Sequence, residues 1–162
     1  MKKIIKTYDL PILISLTLLP ILSIICIPIY SYFYGVVWQE MVMFFLGWFL
    51  AGTGITVGYH RLFAHRTFKT YPIIEWIYMM LGSSALQNTI LNWCSDHRRH
   101  HKKLDTEEDP YSITKGFLHA HIGWIVKKND SVIENVSDLK KKPCVKFQKK
   151  YYHFLPNYTI EI

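Results

Sequence analysis

The chain has 162 residues, enough for one domain and at most two. Hydrophobic residues make up 50% and aromatic residues 15%, a rich supply of apolar surface without any internal repeat or low-complexity tract. The net charge of +7 raises nucleic acid as a partner, but the charges bracket apolar stretches and no nucleic-acid motif accompanies them, which argues against it.

Lys2, Lys3 and Lys6 open the chain, and the next Lys or Arg is Arg61. Between them only Asp9 and Glu40 are charged. A helix crosses the hydrocarbon core with about 20 apolar residues. The pattern predicts one span within Pro11–Phe33 and a second within Met41–Tyr59, as a two-helix hairpin over residues 10–60 behind an N-terminal segment of residues 1–9. The first apolar stretch is too long for the core of a cleaved signal peptide. Pro20 and Pro28 are tolerable in such a helix, where neighbours satisfy the freed carbonyls. The link "SYFYGVVWQE" lacks Lys and Arg, whereas both outer flanks are basic. The positive-inside bias then puts both termini and the histidine-rich region in the cytoplasm and the hairpin tip outside. Tyr30, Tyr32, Tyr34 and Trp38 at the tip suit an interfacial belt.

"GYHRLFAHR" follows, with His60 and His65 five residues apart. On an α-helix that spacing separates them by roughly 140°, so they share a site only if the helix ends or unwinds between them. Gly52, Gly54 and Gly58 upstream are consistent with irregular backbone. A third apolar stretch, Trp76 to Cys94, carries Gln87, Asn88 and Asn92. Crossing would carry the next histidines to the opposite side from the first pair, so it is expected to lie against the membrane or within the cytoplasmic part. Asn88 and Asn92, at i and i+4, are expected to share a helix face.

"DHRRHHKKLDTEEDP" holds His97, His100 and His101, an i, i+3, i+4 set that projects from one helix face. A solvated basic surface and a metal site both fit this box alone; neutral imidazoles are good transition-metal ligands. The earlier pair tips the balance toward metal. Cys26, Cys94 and Cys144 are scattered, form no CxxC pair, and are expected as free thiols, Cys94 packed in its helix. "KKNDSVIENVSDLKKKP" is expected to be a surface connection with a solvated charged face.

In this order "HRLFAHR", "QNTILNWCSDHRRHHKKLDTEEDP", "KGFLHAHIGW" and "VKFQKKYY" closely resemble the acyl-CoA desaturases of the stearoyl-CoA delta-9 type, from about Gly52 to Tyr152. The resemblance implies a mainly α, integral-membrane fold: the transmembrane hairpin, then a cytoplasmic helical histidine-box region over residues 61–152. It implies a di-iron oxidoreductase that uses O2 and two electrons, from a cytochrome b5 or ferredoxin-like donor, to place a cis double bond in a saturated acyl-CoA or acyl-lipid chain. By position, His60, His65, His97 and His101 match one iron's ligands, and His100 matches a ligand of the second. Asn88 and Asp96 match residues that contact the acyl-CoA head or its pantetheine, and Lys127 and Lys128 fall near a basic pair that meets CoA phosphates. His119 and His121 match no ligand.

The sequence departs from the family's pattern in two places. Ser95 stands where the family usually carries Arg, which weakens the case for CoA phosphate binding. After "FQKKYY" the family continues into a second hairpin and a third histidine box, whereas here "HFLPNYTIEI" over residues 153–162 ends the chain. The expectation is the front portion of a desaturase, inactive by itself, holding at most about one iron. The alternative is a non-catalytic membrane protein with a mononuclear metal site.

Overall fold

The computed structural model describes residues 7–8, 10–127 and 132–152. Among these the architecture is helical, and an isolated antiparallel bridge pairs Tyr8 with Lys127. The chain divides into two compact units: residues 1–44 with 111–131, and residues 45–110 with 132–162.

In the first unit, helix α1 (Leu10–Tyr34) runs unbroken through Pro20 and Pro28. Three of its hydroxyls bond back into the helix, Ser15 to the Ile12 carbonyl at 2.9 Å, Thr17 to that of Leu13 at 2.8 Å and Ser31 to that of Ile27 at 2.8 Å, so these donors are met without water. Gly35, at φ +73°, makes the turn. Glu40 then closes it: one carboxylate oxygen accepts the Tyr30 hydroxyl at 2.8 Å and the other the Val37 N–H at 3.2 Å. That carboxylate sits in the first turn of α2 (Trp38–Thr53), where the helix dipole favours it. The apolar side chains of α1 point outward, Ile24 at 74% exposure and Phe33 at 71%. Two helical stretches, Ile12–Tyr34 and Trp38–Ala64, are long and apolar enough to cross a membrane. They overlap the two predicted spans.

The second unit carries the core. From Gly54 to Ala64 the α-helical hydrogen-bonding pattern gives way to a π-helix. Helix α3 (Pro72–Ser84) lies against it, and α4 (Ile90–Lys102) and α5 (Pro143–Tyr151) complete the packing. Tyr59, Phe63, Ile90, Leu139 and Cys94 are fully buried there, each large apolar group contributing about 1.5–3 kcal/mol. Gln148 joins three elements: its amide nitrogen donates to the Tyr59 and Ser83 hydroxyls, and its oxygen accepts the Ile90 N–H at 2.8 Å.

The backbone at Gly54 and Gly58 does depart from the α-helix, since both lie in the π-helix, and both glycines also serve close approach. A Cβ on Gly54 would strike the Leu81–Gly82 backbone, and one on Gly58 would come within 2.9 Å of the Tyr78 Cβ. Two expectations need correction. The third apolar stretch is not one helix: α3 ends at Ser84, Leu86 and Asn88 take positive φ, and α4 starts at Ile90. Asn88 (φ +76°) therefore shares no helix face with Asn92; instead Thr89 caps α4 by accepting the Asn92 N–H at 3.2 Å. Finally, the segment after Ser131 is more than a solvated connection. Val136 and Leu139 enter the core, and Glu134 and Asp138 pair with arginines of α4.

Candidate metal centre

The π-helix resolves the five-residue spacing of the first box. A π-turn closes from residue i to i+5, and here the His65 N–H donates to the His60 carbonyl at 2.9 Å. Residues five apart then stack as residues four apart do on an α-helix. The His60 and His65 Nε2 atoms come to 3.1 Å.

On α4, His97 and His101 are i and i+4, and their Nε2 atoms lie 3.1 Å apart. His65 Nε2 is 2.9 Å from that of His97. The four ligating atoms all lie within 4.8 Å of one another. Two nitrogens bound at right angles to one transition metal at about 2.1 Å would sit about 3.0 Å apart. The donor set fits an ion. Four imidazoles converge, and each neutral ring offers one lone pair. Burial, with the charges of His60, His101, His65 and His100, pushes His97 down to about 3. Burial, with His60, His101 and Arg98, also lowers His65. These rings are neutral near pH 7, the form that binds metal. Trp93 stacks on His97 at 4.8 Å and limits its rotation.

His65 and His101 are the exposed members. Beside them is an open depression lined by Arg66, Lys102, Arg98 and Asn135. His100 stands apart from the four. Its Nδ1 lies 2.9 Å from Oδ1 of Asp109, a fully buried carboxylate whose other oxygen accepts the Asp105 N–H at 2.9 Å.

Of the other residues singled out by sequence, Asp96 is buried and pairs with Arg99 at 3.4 Å. Asn88 is half-buried, its side-chain oxygen accepting the Thr89 N–H at 2.7 Å. Lys127 is exposed in the first unit, and Lys128 lies outside the described residues. His119 and His121 belong to the first unit and not to the four-histidine cluster. Cys94 is fully buried with its thiol 3.6 Å from the Tyr59 carbonyl, and burial raises its pKa, so it packs rather than ligates. The Ser95 hydroxyl accepts the Glu134 N–H at 3.0 Å.

Sequence reasoning missed Arg98, Asp138 and Asp109. Arg98 reads as one more charge in a basic tract, yet it is 9% exposed. A carboxylate within reach is its requirement, and Asp138 lies forty residues away in sequence. The Arg98 hydrogen bonds and charge, with Arg66, outweigh burial and hold the Asp138 carboxyl below its ordinary value.

Residues 36–149 match the sequence profile of the fatty acid desaturase family. An acyl-CoA Delta(11) desaturase of Trichoplusia ni is 39% identical over 129 residues, 76% of this chain and 37% of that protein. The Delta(9)-fatty-acid desaturase fat-6 of Caenorhabditis elegans is 39% identical over 132 residues, 78% of this chain and 39% of that protein. A probable acyl-CoA desaturase of Schizosaccharomyces pombe is 44% identical over 109 residues, 65% of this chain and 22% of that protein. The chain thus spans less than two-fifths of the length of these relatives.

Proposed function

The chain belongs to the fatty acid desaturase family, and on that premise we propose that its histidine cluster serves the O2-dependent conversion of a saturated acyl-CoA to its cis-unsaturated product. The observation that carries this reading is the meeting of His60, His65, His97 and His101 through a π-turn whose closure matches the first box's spacing. The overall change removes two hydrogens from adjacent carbons; these two hydrogens, with two further electrons and two protons, reduce O2 to two waters. Iron, when bound, supplies the redox chemistry with O2 that an unactivated C–H bond requires.

The chain's own residues hold and orient. His60, His65, His97 and His101 would ligate one iron as neutral imidazoles. His100 would ligate a second through Nε2, with Asp109 fixing its tautomer and ring plane from the other nitrogen. We assign Asn88, Asp96, Lys127 and Lys128 to the acyl-CoA head group. Electrons would come from a separate cytochrome b5 or ferredoxin-type protein. Delta-9 is the bond position to test first, since matched relatives are named for both Delta(9) and Delta(11).

The test uses cells that lack their own delta-9 activity. Expressed as these 162 residues, the chain is expected to yield no monounsaturated fatty acid by gas chromatography, because the cluster completes one metal and not two. Joined after Tyr152 to the remaining part of a close relative, it is expected to yield product, and His97→Ala in that fusion to abolish it. A fusion that binds iron but makes no product would favour the non-catalytic, mononuclear reading. Product from the 162 residues alone would overturn the assignment of one metal.

A further inference from the structure

A π-helix of eleven residues needs support that an α-helix does not, since long π runs are rare and the α register competes with them. Relaxation to α would swing His65 roughly 140° from His60 and break the first pair. The last carbonyls of any helix also lack partners within it. Here one guanidinium meets two of them: Arg98 Nε donates to the Ala64 carbonyl at 2.9 Å and Nη2 to the Phe63 carbonyl at 2.8 Å. Its remaining donors reach the Asn135 carbonyl and both carboxylate oxygens of Asp138, at 2.8 and 3.1 Å. All five N–H groups of the side chain are thereby used.

Asp138 neutralises this buried charge, which would be costly by itself. It also lies 3.6 Å from Nε of Arg66, the residue after His65, which adopts φ +54° as the helix terminates. Arg98 directly follows His97 on α4. One side chain therefore ties the end of the first box to the helix that carries the second.

From this geometry we propose that Arg98, held by Asp138, is the positioning residue that keeps the π-turn wound and so presents His60 and His65 to the ion bound by His97 and His101. The inference rests on the cluster's being a metal centre. It goes further in assigning the first pair's placement to a residue that touches neither metal nor substrate.

The experiment is Co(II) titration of the full 162-residue chain in detergent, read by visible absorption, with far-ultraviolet circular dichroism and melting on every variant. His65→Ala is expected to weaken Co(II) binding on the order of 10- to 100-fold in the parent chain, and Arg98→Met by a similar factor. In the Arg98→Met background, His65→Ala is expected to cost no more than about twofold further, while His101→Ala still costs its full factor. Rescue by Arg98→Lys is expected to be partial, because an ammonium cannot fork across two carbonyls and a carboxylate.

Asp138→Asn is the second variant, since Arg98→Met strands a half-buried carboxylate. It should show the same coupling to His65 with a smaller loss. Equal His65→Ala effects with and without Arg98 would overturn the proposal, as would parent-like Co(II) affinity in Arg98→Met. Loss of the helical signal in both the Arg98→Met and Asp138→Asn variants would make this pair a folding element and also overturn it. A parent chain that binds no Co(II) would instead sink the metal-centre reading beneath it.

Discussion

At the scale of single residues, the chemistry depends on imidazoles kept neutral. His97→Ala removes the nitrogen that approaches those of both His65 and His101, and is expected to reduce metal affinity roughly 100-fold or more. His121→Ala, whose ring stacks on Phe117, is expected to leave the metal content of the purified chain unchanged. Acid sensitivity follows from the same rings. With His97 at about 3 in the fold against 6.5 for the free side chain, the unfolded chain binds more protons across that interval. The stability tied to the neutral ring is therefore present above pH 6.5 and lost as pH falls toward 3. Melting of the metal-free chain is expected to drop between pH 7 and pH 4, with a shallower slope in His97→Gln. Asp109 acts on His100 in another way, by claiming Nδ1. In ¹⁵N-detected histidine spectra, His100 is expected to carry its proton on Nδ1, and Asp109→Asn to shift that tautomer while the other four rings hold theirs.

At the scale of elements, the π-helix is useful only if α3 can press close to it. Gly82 receives the Tyr59 ring where a Cβ would stand, and Tyr59 in turn meets Ser83 and Gln148. Gly82→Ala is expected to destabilise the second unit by about 1–3 kcal/mol. Gly52→Ala, at a helical position with open space around it, is expected to be neutral or stabilising by up to about 1 kcal/mol. Denaturant melts of the two variants side by side would separate close packing from simple helix propensity; equal effects would refute the packing argument. The break between α3 and α4 follows a related rule. Gln87 accepts the Trp93 indole N–H at 3.2 Å and Thr89 caps α4, so polar groups that would be misplaced mid-span instead start a new helix.

At the scale of the whole molecule, family membership and two apolar helices make this a membrane protein, and its orientation is open to measurement. From the basic flanks of the hairpin we propose that its tip lies outside and the histidine boxes in the cytoplasm. With Cys26 replaced by Ser, a cysteine at Val36 is expected to react with a membrane-impermeant maleimide from outside intact cells; labelling only after permeabilisation would reverse the topology. Iron-replete purification is expected to return about one metal per chain. Two tightly bound irons per chain would mean that ligands beyond the five histidines of the two boxes contribute.

The apolar hairpin, the two histidine boxes and the family were legible in the sequence because each depends on local composition or spacing. A run without charges needs no partner to be apolar, and an i, i+4 pair shares a face on any α-helix. The helical histidine-box region followed from the same pattern. Three features were decided only by tertiary structure. The helix type between His60 and His65 is a choice between α and π that differs by one hydrogen-bond register, and long-range contacts from Arg98 and α3 bear on it. Asn88 left the helix because Thr89 capped α4 and Asn88 took the turn. Arg98 became buried because Asp138, distant in sequence, was folded against it; charge pairing over such a separation leaves no periodic trace in the sequence, whereas the spacing of the histidines does.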